Sequence, residues 1–135
     1  MILVRSALAG AYAMYLAVVA YLVFTPGGTS VGGPIAAVLD AVRSLGIAAS
    51  RAQVELGLNV VLFVPLSLLG WFVLHRTRVV FWVAVGAGLA VLIEVVQLAI
   101  PGRVSTVQDI VANTAGATIG AFLALGWASW GKRVR

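Results

Sequence analysis

Residues 94–116 read EVVQLAIPGRVSTVQDIVANTAG. Two apolar runs meet in this stretch. One ends at Pro101-Gly102 and the other starts near Asp109, so the stretch predicts the corner between two helices. Within it stand Glu94, Gln97, Arg103, Asp109 and Asn113, which are two acids, one base and two amides. Outside the corner charge is sparse. The 135 residues are 62% hydrophobic and 10% charged, where a soluble domain carries about 25% charged residues. Mean hydropathy is +1.11. These values predict an integral membrane protein. Inside a bilayer an ionisable group is costly enough to suggest a functional site by default.

The remaining apolar runs set the number of spans. A hydrocarbon core of about 30 Å needs roughly 20 helical residues. Runs of that length occupy about residues 6–24, 56–75, 79–100 and 109–130. The first is stopped by Thr25-Pro26-Gly27-Gly28. Arg5 in front of it also fits a signal peptide, but the run is long and no small-x-small cleavage site follows, so it is read as a first span. The second is preceded by Ser50 and Gln53, a capping-box pair that predicts a helix start. It contains Pro65, where a kink is expected, since a membrane helix tolerates proline when neighbours satisfy the freed carbonyl. Between these two spans, PGGTSVGGP at 26–34 reads as loop. Ile35, Val38, Leu39, Val42 and Leu45 then recur at helical spacing up to Gly46, with Asp40, Arg43 and Ser44 off the stripe. This predicts a short amphipathic helix in the outer loop, lying on the membrane surface or packed on its neighbours. The expected architecture is all-α: a single membrane domain over 1–135, built as a four-helix bundle.

Four spans return the chain to the side it started from. That side carries Arg5, Arg76, Arg78, Lys132, Arg133 and Arg135 and no acid. The opposite side carries Arg43, Arg51 and Arg103 beside all four acids, Asp40, Glu55, Glu94 and Asp109. The excess of bases predicts both termini in the cytoplasm and the polar corner facing outward. The net charge of +5 therefore reads as membrane orientation, and no nucleic-acid partner is expected. Trp71, Trp82, Trp127 and Trp130 fall near the cytoplasmic ends of the spans, where an interfacial indole belt is expected. The absence of cysteine excludes disulfides and thiolate metal sites. The one histidine, His75, lies at the cytoplasmic end, which excludes a serine–histidine triad at the corner.

The corner recruits a third wall. Arg51, Glu55 and Asn59 follow one another at four-residue steps on the second span and share a face. Glu94 with Gln97, and Asp109 with Asn113, form similar pairs on the third and fourth spans. The candidate binding residues are thus Glu55, Asn59, Glu94, Gln97, Arg103, Asp109 and Asn113, with Arg103 on the connecting loop able to fold over them. A buried Glu94 has to be paired, hydrogen-bonded or neutral; Gln97 and Asn113 can donate to it, and Arg103 can pair with it. Such residues also serve simply as staples between helix tops, worth about 0.6 kcal/mol each. The functional reading is preferred because so small a bundle does not need three carboxylates for packing. Glu94 and Asp109 are candidates for general acid and base, or for oxygen ligands of a divalent cation, although no cofactor is expected. Arg103 can hold a phosphate or carboxylate, and Ser105 and Thr106 offer hydroxyl contacts. Gly116 and Gly120, extended by Ala112 and Ala124, form a small-residue ridge. It is expected to pack within the chain, facing Ala84 and Gly88, with a homo-oligomer through Gly116 and Gly120 as the alternative.

The residues from Asn59 to Ser67, NVVLFVPLS, together with the ordered set Glu94, Gln97, Arg103, Asp109, Asn113 and Gly116, resemble the VanZ-like family of small bacterial membrane proteins. The likeness covers about residues 55–125. Ser67 stands where that family usually has glycine. The resemblance implies a place in the bacterial envelope, and the founding member is linked to resistance to the glycopeptide teicoplanin. Three functions are open at this point. One is binding of a lipid headgroup, lipid-linked cell-wall precursor or lipoglycopeptide at the outer leaflet. Another is enzymatic modification of such a headgroup. The last is a structural or accessory subunit of a membrane complex.

Overall fold

The computed structural model describes residues 2–24, 32–74, 78–100 and 106–133. Five helices make up the regular structure: α1 (Ile2–Phe24), α2 (Gly32–Ser44), α3 (Arg51–Val73), α4 (Val79–Gln97) and α5 (Val107–Arg133). Among the described residues, α1, α3, α4 and α5 are long and apolar enough to cross a membrane. The fold is a four-helix membrane bundle with one short extra helix, as composition and run length predict. Of the loop expected over 26–34, residues 32–34 are instead the first turn of α2, and residues 26–31 lie outside the described residues, as do residues 75–77 at the expected cytoplasmic end of the second span.

Each boundary has a local cause. The helix α2 ends in two backbone bonds, from Gly46 N–H to Arg43 O at 2.9 Å and from Ile47 N–H to Val42 O at 3.4 Å. This closure needs a left-handed residue, and Gly46 supplies it with φ of +79°. Arg43 then reaches across the turn, its Nε and Nη2 donating to Ala49 O at 3.3 and 3.2 Å. Ser50 and Gln53 form the expected capping box at the start of α3. That helix continues through Pro65 without a break. The helix α4 stops at Gln97, a few residues earlier than its apolar run suggests, and residues 98–100 are turn and bend. The amphipathic helix α2 packs against α3, with Ile35 buried and Val38, Leu39 and Val42 half-buried.

The four spans alternate in direction. Gly86 meets Ala117, and Glu94 meets Thr106, so α4 and α5 run antiparallel. Val60 meets Gly116 and Val64 meets Gly120, so α3 and α5 run parallel. The helix α5 packs on both α3 and α4, while among the described residues α1 lies against α3 and α4 and not against α5. Small residues allow the central contact. A Cβ on Gly116 would stand 2.2 Å from Val60 O, and one on Gly120 would stand 2.1 Å from Val64 O. The two backbones are therefore as close as glycine permits. The ridge is thus used within the chain, but it faces α3. The expected partners Ala84 and Gly88 on α4 are exposed, and Gly86 makes the α4 contact instead.

Trp71 and Trp82 correct the expectation of an interfacial belt. Trp82 is 1% exposed and packs with Trp71, Ala121 and Ala124 in one of two apolar clusters. The missing side chain of Gly70 leaves the space, since a Cβ there would lie 2.2 Å from the Trp82 ring. Trp127 and Trp130 are exposed, as belt residues are. The second cluster joins Val23, Phe63, Leu66, Ile93 and Ala117 from all four spans. In lipid a tyrosine hydroxyl also needs a partner, and this need ties α1 to α3. Tyr12 Oη donates to Leu66 O at 3.1 Å, and Tyr15 Oη donates to Leu62 O, on either side of Pro65.

Candidate functional site

Alternation places the ends of α1 and α4 and the starts of α3 and α5 at one end of the bundle. The polar residues gather there around Thr106. This threonine is the residue before α5 begins, and its Oγ1 accepts the Asp109 N–H at 3.1 Å, capping the helix. The same hydroxyl donates to Asp109 Oδ2 at 2.6 Å. In a capping box the backbone N–H of the capping residue goes to the side chain three residues on. Here Thr106 N–H goes instead to Glu94 Oε2 on α4, at 2.9 Å. Asp109 Oδ1 accepts from Asn59 Nδ2 on α3 at 2.6 Å. Thr106 and Asp109 thus join the ends of three spans. Glu94 is 4% exposed, and it lies at the positive start of α5, where an anionic side chain is favoured.

The other expected site residues fall into three groups. Asn113 is 4% exposed, and its Oδ1 has no hydrogen-bond partner. Gln97 is also buried, but its Nε2 donates to Val23 O at 3.2 Å. That carbonyl belongs to the last turn of α1, where the helix leaves it unpaired. Gln97 therefore closes the end of α1 and does not donate to Glu94. Glu55 is exposed, and Asn59 alone supplies the wall from α3. Arg103 and Ser105 lie outside the described residues. No group of three histidine, cysteine, aspartate or glutamate side chains converges among the described residues. Ser67 is fully buried with an unpaired Oγ, deeper in the stripe of α3 that carries Phe63 and Trp71.

Thr106, expected only as a hydroxyl contact, is the hub of the corner. Its signal is present in the sequence: Thr106-Val107-Gln108-Asp109 has the threonine-x-x-acid spacing of a helix start before an apolar run.

Of the ordered polar set, Glu94 and Asp109 are joined at this end through Thr106. A family model described as VanZ/LLP1 matches residues 12–128. The chain belongs to the VanZ/LLP1 family. The match begins at Tyr12 within α1, takes in α3, α4 and most of α5, and includes every described residue of the polar corner. No curated protein and no solved structure matches the chain. Chemically, the corner of this VanZ-like protein offers two carboxylates held by neutral donors and an unpaired amide oxygen beneath them.

Proposed function

We propose that this VanZ-like protein sits in the bacterial cytoplasmic membrane with both termini in the cytoplasm. On this reading its polar corner binds a lipid headgroup, or a lipid-linked cell-wall precursor, at the outer leaflet. Occupancy of that site contributes to protection against teicoplanin. The observation that carries the reading is the pairing of a nearly buried Glu94 with Asp109 through Thr106, above a buried amide oxygen with no partner. A site meant only for stapling helices has no reason to leave an acceptor unsatisfied, since such a group costs about 1–3 kcal/mol. Arg103, on the loop between α4 and α5, is placed by sequence to meet the phosphate of a headgroup.

The test is protection of a susceptible bacterium that expresses the chain. Glu94→Gln and Arg103→Ala abolish the rise in teicoplanin tolerance, while both proteins reach the membrane at normal levels. Undiminished protection in both variants removes the reading. In an enzymatic version of the same site Asp109, whose Oδ2 already accepts a hydrogen bond from the Thr106 hydroxyl, acts as general base toward a hydroxyl of the bound headgroup. It requires that purified protein chemically alter a headgroup, with activity lost in Asp109→Asn.

A further inference from the structure

Among the described residues, the bonded donors of the corner are directed into the protein. Asn59 Nδ2 and the Thr106 hydroxyl both serve Asp109, Thr106 N–H serves Glu94, and Gln97 Nε2 serves the end of α1. Arg43, Arg51 and Arg78 are exposed. Among the described residues, the buried side-chain atom left without a partner beneath this network is an acceptor, Asn113 Oδ1.

Its place follows from the helix register. Asp109 meets α3 at Asn59, Gly116 meets α3 at Val60, and Ala117 meets α4 at Gly86. Asn113 lies one turn from each of these on α5, so it faces the seam between α3 and α4. The antiparallel register that sets Ala117 at Gly86 sets Asn113 at Ala90, which is fully buried, one turn below Glu94. The unpaired oxygen therefore lies under the carboxylates and not on an unrelated face. Asn113 could instead have turned toward lipid, but an amide there costs more than one in the seam.

We propose that the ligand of this corner is recognised through a hydrogen-bond donor, a hydroxyl or an ammonium group of a lipid headgroup, which donates to Asn113 Oδ1. The inference rests on the headgroup reading above and narrows it. It selects headgroups that end in glycerol or ethanolamine over those that end in a group without an O–H or N–H. It also gives Asn113 a role distinct from Glu94 and Asp109, whose oxygens hold the helix ends together.

The experiment uses two pairs of lipids matched in charge. Phosphatidylglycerol and phosphatidylmethanol are both anionic, but only the first carries free hydroxyls. Phosphatidylethanolamine and phosphatidylcholine are both zwitterionic, but only the first carries N–H donors. The full chain, purified in detergent, is offered each pair at equal concentration, and retained lipid is measured by native mass spectrometry. In at least one pair the donor-bearing lipid is retained about tenfold better, the size of effect expected when a buried acceptor gains or lacks its partner. A response in the first pair identifies a hydroxyl, and one in the second an ammonium. Asn113→Leu reduces the preference to within about twofold while leaving the fold intact, because an apolar residue of similar shape removes an unsatisfied group. Asn113→Asp, which keeps acceptor oxygens, retains the preference.

Equal retention within both pairs overturns the donor inference and leaves headgroup binding standing. A preference that survives Asn113→Leu also overturns it, and assigns the amide oxygen to a buried water. Retention of none of the four lipids overturns both readings.

Discussion

Thr106 uses its backbone N–H for Glu94 and its hydroxyl twice for Asp109, so one residue holds two helix ends in register. Replacing it separates these functions. Thr106→Val keeps the backbone bond to Glu94 and the β-branched shape. It removes the cap of α5 and one of the two hydrogen bonds to the Asp109 carboxylate. Loss of a cap costs about 1 kcal/mol, and loss of a hydrogen bond to the half-buried Asp109 carboxylate costs about 1 kcal/mol more. Thr106→Val is therefore expected to lower stability by about 2 kcal/mol, whereas Thr106→Ser stays within about 0.5 kcal/mol of the parent. Titration of micelle-solubilised protein with a denaturing detergent, followed by circular dichroism, measures both. A valine variant as stable as the parent would mean that the Asn59 bond alone holds Asp109.

The elements differ in how they use their small residues, and the difference makes a prediction. An added methyl on Gly116 or Gly120 meets main-chain oxygens of α3, and these cannot rotate away. Gly116→Ala and Gly120→Ala are each expected to destabilise the bundle by about 1–3 kcal/mol, the usual cost of overpacking. Gly88 on α4 has nothing within 4 Å of its would-be Cβ, so Gly88→Ala is expected to be neutral or to gain up to about 1 kcal/mol from helix propensity. The same detergent titration ranks them. If Gly88→Ala proved the most damaging, the packing of α4 described above would be wrong.

The same contrast explains what the sequence discloses at this scale. The spans are legible because about 20 apolar residues in a row have few other uses. The capping box at Ser50 and Gln53 is legible because its spacing is local. The facing of α4 is not, because a lipid-exposed side and a buried side are equally apolar, so hydropathy carries no phase. Gly86 and Gly88 are two residues apart and point about 200° apart around the helix, and only the partner Ala117 decides between them. Trp82 is hidden for a similar reason. Its depth along the span suggests a belt, but the pocket that buries it is made of the smallness of Gly70, Ala121 and Ala124 on two other helices. In the corner, Asn59, Glu94, Asp109 and Asn113 stand out because polar groups are rare in such a chain. The direction of Gln97 toward α1 does not, since nothing in its spacing refers to Val23.

For the whole molecule, the alternation of four spans fixes the start of α1 and the end of α5 at the end opposite the polar corner. Which end faces the cytoplasm is set by the basic residues. Arg5, Arg76, Arg78, Lys132, Arg133 and Arg135 lie at the terminal end in sequence, and Arg43, Arg51 and Arg103 at the other. Acids contribute little to orientation, so the comparison is six bases against three, which supports the proposal that the six face inward. A fluorescent reporter fused after Arg135 is therefore expected to mature in the cytoplasm, and alkaline phosphatase fused there to stay inactive. Cysteines introduced at Thr29 or Ser30 are expected to react with an impermeant thiol reagent added to intact cells. The chain has no native cysteine, so any such labelling reports the introduced site alone. The opposite pattern would turn the corner of Glu94, Asp109 and Asn113 toward the inner leaflet. An antibiotic acting outside the membrane could not then meet it, and its ligand would have to be a headgroup of the inner leaflet. Orientation thus decides between the outward and inward sources of the same donor-bearing ligand.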